Sequence, residues 1–330
     1  MRSVSRRLAA LGAIVALTLV GSTAAGLTAD PTAADLVDAL NGVFGKHAGT
    51  RAGHAKGFCV TGLFTPSPDA ATLSKAPQFA KPVPIIGRFS LGGGNPQAPD
   101  NAKDNVRGLA LRFDLGNGAN SDLVMISAPV FFVKTPALFV EFLQTVGSGD
   151  KDKLKAFFEA HPESTRQNAW LMSHPVPASY AGVNYFGVHA FTLTNTAGEQ
   201  RVVKFKAIPE AGELGLTDDE AKAKGPDFYQ AEMKDRLAKP PVAFDLVAIL
   251  GQKDDPTDDP TIMWDEDSHA TAPLGRVMID AIAPNATCDA FSFLPANLAD
   301  GITGPANDPV FAARSGAYIV SLTRRLQPGQ

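Results

Sequence analysis

Residues 104–133, "DNVRGLALRFDLGNGANSDLVMISAPVFFV", contain the pattern from which the fold class of this chain follows. Two β-rich runs, residues 106–116 and 122–133, stand on either side of a short stretch rich in Gly and Asn. Glycine and asparagine between two such runs are typical of a tight connection between neighbouring strands. The stretch therefore predicts two adjacent antiparallel strands.

Further β-rich runs occur on both sides of this pair, with amphipathic segments between some of them. The runs are 56–65, 83–93, 184–195, 200–209 and 242–252, and helices are predicted at 31–47, 136–170, 225–238 and 308–326. A loop rich in Pro, Asp and Thr is expected at residues 253–274. Because the strands and helices do not alternate as in βαβ units, about six to eight strands predict an α+β fold on an antiparallel barrel or strongly curved sheet.

The composition is that of a folded globular chain. Its 330 residues are 45% apolar and 19% charged, with a formal net charge of −4. This charge provides no electrostatic reason to expect binding to nucleic acid or to an anionic membrane. Phe is abundant, with 20 copies against 4 Tyr and 2 Trp, which indicates a thick core or a large apolar cavity.

The N-terminal segment has the three parts of a signal peptide. Three arginines before residue 8 precede an apolar run at 8–20 and then small residues, so we expect cleavage near Ala24 or Ala25. Residues 1–25 are therefore interpreted as a signal peptide and residues 26–330 as one domain, exported to the periplasm or beyond. An uncleaved anchor is the alternative, and the general and twin-arginine export routes both stay open.

The chain has two cysteines, Cys59 and Cys288. In an oxidising compartment they could form a disulfide. Cys59 could equally be a buried thiol within a strand, and the sequence does not decide between these alternatives. Neither residue belongs to a CxxC motif or to a Cys/His zinc spacing.

The C-terminal helix carries Arg314, Tyr318 and Arg325 at intervals that place them on one face. A phenol is neutral near pH 7, but cations held beside it favour the phenolate, which is a hard anionic ligand suited to ferric iron. The alternative is an ordinary terminal helix whose last arginines interact with the helix dipole.

The segment "RAGHAKG" at residues 51–57 places His54 just before a predicted strand. Histidine can act as a general acid or base because its pKa is easily tuned across the neutral range. A histidine at the start of a strand can also be a surface residue with no chemical role.

Seven segments together resemble the haem catalase family in order and spacing, over about residues 45–326. They are "RAGHAKG", "RFSLGGG", residues 104–133, "NYFGVHAFTLTN", "DDPTIMW", "FSFLPANLADGI" and "DPVFAARSGAY". The chain looks like the short, exported catalase-related peroxidases of that family. The resemblance implies an eight-stranded antiparallel barrel with surrounding helices and a haem b cofactor in the mouth of the barrel.

The resemblance also implies roles for the residues named above. Tyr318 matches the tyrosine that binds the haem iron, which is the ligand typical of catalases, and Arg314 matches the arginine four positions before it. His54 matches the distal histidine that moves a proton between the peroxide oxygens. Ser90 matches a serine that is hydrogen-bonded to this histidine.

Other matches concern the edge and the faces of the haem. Arg51 and Arg88 match the arginines that bind the haem propionates, a task for which the guanidinium group is well suited. Arg325 matches a further basic residue. Phe139 matches an aromatic side chain beside the haem face, and Phe131 and Phe132 match the apolar distal wall.

Two positions bear on how far the family's chemistry applies. Ile126 stands where family catalases place an asparagine in the distal pocket, so an amide that would orient peroxide is replaced by a hydrocarbon. This favours peroxidase over catalase activity and suits organic hydroperoxides. His189 matches a nicotinamide-nucleotide contact of the family, but the rest of that site is not recognisable, so we interpret His189 as structural and expect no such cofactor.

The resulting expectation is a haem peroxidase that reduces hydrogen peroxide or organic hydroperoxides with a small organic electron donor and keeps weak catalase activity. Two alternatives stay open: an exported barrel that binds haem or a hydrophobic ligand without turnover, and a haem enzyme that rearranges fatty-acid hydroperoxides. No membrane association is expected after signal cleavage. Full-length catalases form tetramers through intertwined arms, so a monomer or homodimer is expected for this shorter chain.

Overall fold

The hairpin predicted from residues 104–133 is present as β3 (Arg107–Gly116) and β4 (Ala119–Ile126). Gly116 pairs with Ala119, so Asn117 and Gly118 form a two-residue turn. Their φ angles of 54° and 81° are both positive, which is the geometry that the tightest hairpin turns require and that Asn and Gly adopt most easily. The Gly/Asn cluster thus sets the register of this pair, and the prediction is confirmed.

The structure is a computed structural model and describes residues 30–239 and 242–327. The other strands are β1 (Gly57–Pro66), β2 (Val83–Leu91), β5 (Val176–Pro177), β6 (Tyr185–Phe186), β7 (Phe191–Thr194), β8 (Gln200–Pro209), β9 (Gly215–Leu216), β10 (Val242–Leu250), β11 (Thr271–Ala283) and β12 (Ile302–Thr303). The helices are α1 (Ala33–Phe44), α2 (Ala70–Leu73), α3 (Pro136–Ser148), α4 (Lys151–Ala160), α5 (Arg166–Ser173), α6 (Asp218–Lys224), α7 (Tyr229–Leu237), α8 (Ala286–Asp289) and α9 (Pro309–Leu326).

Eight strands close into a barrel in the order β10-β11-β1-β2-β3-β4-β6-β8, because β8 also pairs with β10. All of these pairings are antiparallel. Closure leaves no free edge in the ring, and β7 and β12 extend it from β8. The expected α+β fold with an eight-stranded antiparallel barrel is confirmed.

The barrel strands alternate between an apolar inner face and a mixed outer face. Inward residues such as Phe89, Leu109 and Met125 are almost fully buried in one continuous core. An eight-stranded barrel is just wide enough for its own side chains, so many of the Phe residues fill this interior. The residues predicted for the site, such as Ser90 and His54, lie on the outer face of the barrel or beside it, outside this packed interior.

Strand β11 was not predicted from the sequence. It runs from Thr271 to Ala283 between β10 and β1, and it overlaps the end of the loop predicted at 253–274. Pro273 and Gly275 disfavour a strand locally, and the pairing with β10 shifts register at this point. The apolar run from Val277 to Ile279, with a β-branched residue at each end, was the sequence signal that could have revealed the strand.

Several other boundaries differ from the predictions, and the helical region predicted at 136–170 divides into α3, α4 and the start of α5. The run 184–195 forms two short strands, β6 and β7, rather than one. Residues 127–133 are not part of β4, which ends at Ile126.

Helix α9 packs against α1 and α3 outside the barrel. Asp308 caps its N-terminus, with Oδ1 accepting a 2.9 Å hydrogen bond from the backbone N–H of Phe311. From Pro31 onward the described residues form one compact unit. The predicted signal peptide lies outside the described residues. Across residues 30–239 and 242–327, no helix combines the length and apolar character needed to cross a bilayer.

Candidate active site

The outer face of the barrel carries a row of paired residues beside His54. Ser90 of β2 pairs with Gly57 and Gly108, and Gly108 pairs with Ile126. The loop before β1 places His54 Nδ1 3.0 Å from Ser90 Oγ. A Cβ atom on Gly108 would lie 2.7 Å from Ser90 Oγ and 2.9 Å from His54 Nδ1. The imidazole therefore lies against a backbone surface that only glycine provides, with Ile126 next in the row.

The backbone of His54 has a φ of 55°, a left-handed conformation that non-glycine residues rarely adopt. Two hydrogen bonds from Arg88 hold it: Nη1 donates to the His54 carbonyl at 2.8 Å and Nη2 to the Ala55 carbonyl at 3.1 Å. Such strain persists where surrounding contacts enforce it, which is common at functional sites. Arg88, matched above to a propionate-binding residue, here positions His54.

Burial, together with the nearby charges of Arg88, Arg314 and Arg51, lowers the pKa of His54 to about 3. The imidazole is therefore neutral across the physiological range. When Nδ1–H donates to Ser90 Oγ, Nε2 is left as a hydrogen-bond acceptor. Within the described part of the chain Nε2 has no hydrogen-bond partner, so it is free to take a proton from a ligand.

Tyr318 receives a hydrogen bond from Arg314 one helical turn earlier. Arg314 Nη2 lies 2.7 Å from Tyr318 Oη. This hydrogen bond from a charged donor fixes the position of the phenol oxygen. The spacing predicted from sequence brings these two groups together as expected, while Arg325 lies further along the helix.

Arg314 is itself held by two residues that the sequence analysis did not assign to the site. Its Nη1 donates to His189 Nε2 at 2.9 Å, and His189 Nδ1 lies 2.6 Å from Asp308 Oδ2. Because arginine can only donate, His189 Nε2 must accept, and Nδ1–H therefore donates to the Asp308 carboxylate. Asp308, His189 and Arg314 thus form a chain of hydrogen bonds ending at Tyr318. The structural interpretation of His189 was incomplete, because it helps to position the side chain that contacts Tyr318.

Burial is also the main cause that lowers the pKa of His189 to about 4, although the hydrogen bond to Asp308 opposes this shift. The nearby charges of Arg314 and Lys204 lower the pKa further, and that of Asp308 raises it. A histidine that is neutral when folded takes up a proton on unfolding once the pH is below about 6.5.

We therefore expect the free energy of unfolding to fall as the pH decreases from 6.5 towards 4. Between these values the unfolded state binds more protons than the folded state, at about 1.4 kcal/mol per pH unit for one such histidine. Urea unfolding at pH 6.5 and pH 5 measures the effect. His189→Gln removes the titrating group, so its loss of stability over this range should be smaller than that of the wild type by about 2 kcal/mol. If the wild type and His189→Gln lose equal unfolding free energy between pH 6.5 and pH 5, the lowered pKa of His189 is wrong.

Arg51 and Arg325 form a second cationic cluster. Arg51 Nη1 donates to Asp289 Oδ1 at 2.6 Å, and Arg325 Nη2 donates to the carbonyls of Asp289 and Phe291 at 3.1 and 2.9 Å. Burial lowers the pKa of Arg325 to about 10 and that of Arg88 to about 9, so both stay cationic at neutral pH. Arg325 is only 5% exposed, yet its Nε and Nη1 have no partner within the described residues.

The His54 loop lies directly against the helix of Tyr318. The backbone N–H of Ala52 donates to Ser321 Oγ at 3.1 Å. Every residue of α9 from 313 to 318 is half-buried rather than buried, so this part of the helix is not fully covered by protein. His54, Tyr318 and the arginines therefore surround one region between the barrel and α9.

A phenylalanine cluster follows the end of β4. Phe131, Phe132 and Phe139 lie with ring centroids 4.6 to 6.4 Å apart, and Phe142 contacts Phe132. These rings are only half-buried, whereas Val130 and Val133 beside them in the chain are buried. The structure thus brings together the three phenylalanines that the resemblance implied, beyond the strand that ends at Ile126.

These residues fit a haem. Among the described residues, Arg325 has buried donor atoms without a partner beside Arg51, and a buried donor without an acceptor is costly unless a ligand supplies one. Two guanidinium groups suit the two carboxylates of a haem, the phenylalanine cluster suits an apolar ring, and Tyr318 provides an anionic oxygen ligand for iron.

Comparisons with known proteins agree with this arrangement. The model of the catalase family, described as "Catalase", matches residues 27–329. A catalase-related peroxidase of Synechococcus elongatus is 39% identical over 96% of this chain and 94% of its own length. A catalase-related peroxidase of Mycolicibacterium paratuberculosis is 34% identical, over 91% and 95% of the two chains.

Solved structures show the same fold. A bacterial catalase superposes with a TM-score of 0.75 at 25% identity over 85% of this chain, and a fungal catalase with a TM-score of 0.77 at 24% identity over 86%. This chain covers 58% and 61% of those two chains. The extent of the family match, together with the identity to relatives of similar length, shows that the chain belongs to the catalase family.

Proposed function

We propose that this protein is a haem b-dependent peroxidase that reduces hydrogen peroxide or organic hydroperoxides with an organic electron donor and keeps weak catalase activity. Its similarity to relatives described as catalase-related peroxidases supports this proposal. The observation that carries it is the neutral His54, whose Nε2 is unpartnered among the described residues and which lies in the same region as the Arg314–Tyr318 pair.

Haem, when bound, supplies the redox chemistry at its iron, with Tyr318 Oη as the protein ligand. His54 Nε2 takes a proton from one oxygen of the peroxide and returns it to the leaving oxygen. Ser90 keeps the imidazole oriented through Nδ1, and Gly108 leaves room for the ring. Such general acid–base catalysis contributes roughly 10²–10⁴ in rate.

The contacts of His54 favour turnover over simple ligand binding. A barrel that only binds haem or another hydrophobic ligand has no use for a strained histidine held by Arg88 and Ser90. A hydroperoxide-rearranging enzyme would use the same pocket, but it would form an isomerised lipid without consuming an electron donor.

An absorption spectrum of the purified protein and a peroxide titration test the proposal. We expect a haem Soret band, and oxidation of a dye donor in step with peroxide consumption. If the purified protein takes up no haem, the proposal that haem is its cofactor is wrong. Consumption of lipid hydroperoxide without oxidation of the donor would support the rearrangement alternative instead.

Ile126→Asn should raise the oxygen-forming activity relative to dye oxidation. The change places an amide beside Gly108, in the row that continues to Ser90, where it can orient a second hydrogen peroxide molecule. One added hydrogen bond of this kind is worth about tenfold in the activity ratio. Oxygen release and dye oxidation are measured on the same preparation, with Ile126→Val as the control that keeps the pocket apolar. If the ratio of oxygen release to dye oxidation is unchanged in Ile126→Asn, Ile126 does not set the balance between catalase and peroxidase activity.

We also propose that the protein is exported to the periplasm or beyond. The residue pattern of 1–25 motivates this proposal, and so does the disulfide that joins Cys59 to Cys288, since such bonds persist in oxidising compartments. The proposed partners are a peroxide and a small organic donor, and the proposed assembly state is a monomer or homodimer. Mass spectrometry of the exported protein, which gives its N-terminus, and light scattering of the purified protein test these points.

A further inference from the structure

One short segment holds both arginines at the proposed carboxylate site. Arg51 donates to the Asp289 carboxylate and to the carbonyls of Cys288 and Phe291, at 2.6, 2.9 and 3.4 Å. Arg325 donates to the carbonyls of Asp289 and Phe291. Across residues 30–239 and 242–327, every hydrogen bond from these two guanidinium groups therefore ends within residues 288–291.

Two anchors hold this segment against the barrel. At its far end, Arg112 makes a bidentate pair with Asp122 and also donates to the Ser292 carbonyl at 2.9 Å, while the backbone N–H of Leu294 donates to Asp122. At its near end, the anchor is the disulfide from Cys288 to Cys59 of β1, whose Cα atoms are 6.0 Å apart. The Cys59 backbone N–H also donates to Asn285 Oδ1 at 3.3 Å.

The disulfide meets the outer face of the barrel beside Arg88. Cys59 pairs directly with Arg88, the residue that holds the backbone of His54. Both cysteines are fully buried and pack with Phe293 on the outer face of the barrel. The bond thus connects the side of the site that carries His54 to the segment that holds Arg51 and Arg325.

We propose that the Cys59–Cys288 disulfide is a positioning element of the site: it fixes residues 288–291 so that Arg51 and Arg325 are held ready for the two carboxylates of the cofactor. This inference rests on the proposed haem function. Without the disulfide the near end loses its covalent anchor and keeps the weaker hydrogen bond from the Cys59 backbone N–H to Asn285 Oδ1. The two guanidinium groups then gain freedom, and ordering them again opposes cofactor binding.

The test compares haem loss from the wild type and from Cys59→Ala/Cys288→Ala. Each is loaded with haem, and transfer to an excess of apomyoglobin is followed by the Soret band. A second series uses haem dimethyl ester, which lacks free carboxylates. Phe64→Leu is the matched control, because it loosens the packing against Phe79 and Phe113 on the inner face of the same strand.

We expect the double variant to lose haem about ten to a hundred times faster than the wild type, as weakening one or two charged hydrogen bonds predicts. With the dimethyl ester the two proteins should differ little, and Phe64→Leu should resemble the wild type with either ligand. Equal rates of haem loss would overturn the inference, and so would an equal acceleration with the ester. If the wild type takes up no haem, the proposed function fails as well.

If the double variant does not fold, the wild-type holoprotein can be treated with a water-soluble phosphine. The S–S bond is cleaved to two thiols, while the phosphine becomes its oxide with oxygen and protons from water. Thiol counting in denaturant shows that the bond was intact before treatment and cleaved afterwards. Faster loss of haem but not of its dimethyl ester supports the inference, and unchanged loss of haem overturns it.

Discussion

Tyr318→Phe is expected to yield folded protein with little or no haem. The variant lacks the oxygen that we assign as iron ligand, and Arg314 Nη2 loses the acceptor that lies 2.7 Å away in the wild type. Loss of this hydrogen bond from a charged donor removes about 1.5–3 kcal/mol of stabilisation. The ratio of Soret to protein absorbance, together with iron analysis, measures the occupancy.

Tyr185→Phe is the matched control for this experiment. Tyr185 is fully buried inside the barrel and its hydroxyl donates to the Tyr180 carbonyl at 2.9 Å, so the variant loses a phenol oxygen at a distance from the site. It should keep its haem. Full haem occupancy in Tyr318→Phe would show that another group holds the iron, and the ligand assignment would then be abandoned.

His54→Ala is expected to keep its haem and to react with peroxide roughly 10²–10⁴ times more slowly. The variant lacks the neutral imidazole whose Nε2 can accept the peroxide proton. Because the φ of residue 54 is 55°, alanine adds backbone strain there, whereas asparagine tolerates this conformation better. His54→Asn therefore separates the loss of the base from the strain. Stopped-flow absorbance after mixing with peroxide gives the rate.

His161→Ala serves as the control for removing a histidine, since His161 lies at the end of α4 against Phe157. It should react like the wild type. If His54→Ala and His54→Asn both consumed peroxide at the wild-type rate with haem retained, the general-base role of His54 would be wrong. The alternative of a barrel that binds a ligand without this chemistry would then be favoured.

The fold was predictable wherever the decisive signal was local. The Gly/Asn turn between β3 and β4 and the intervals of Arg314 and Tyr318 on one helical face follow from backbone geometry, which acts over a few residues. The same local signal missed β11, because Pro273 and Gly275 disfavour a strand on their own. The pairing of β11 with β1 and β10 on both sides outweighs that local preference.

The residue pattern by itself predicted an antiparallel barrel or strongly curved sheet and the Arg314–Tyr318 pair, and the resemblance to the catalase family implied the other site residues. Only the tertiary structure decided that His189 supports Arg314 across 125 positions and that Cys59 meets Cys288 across 229. Periodicity states which face of an element a residue occupies, but not which distant element that face will meet. That choice is made when β8 pairs with β10 and closes the ring, because closure fixes where the outer face of each strand lies relative to α8 and α9.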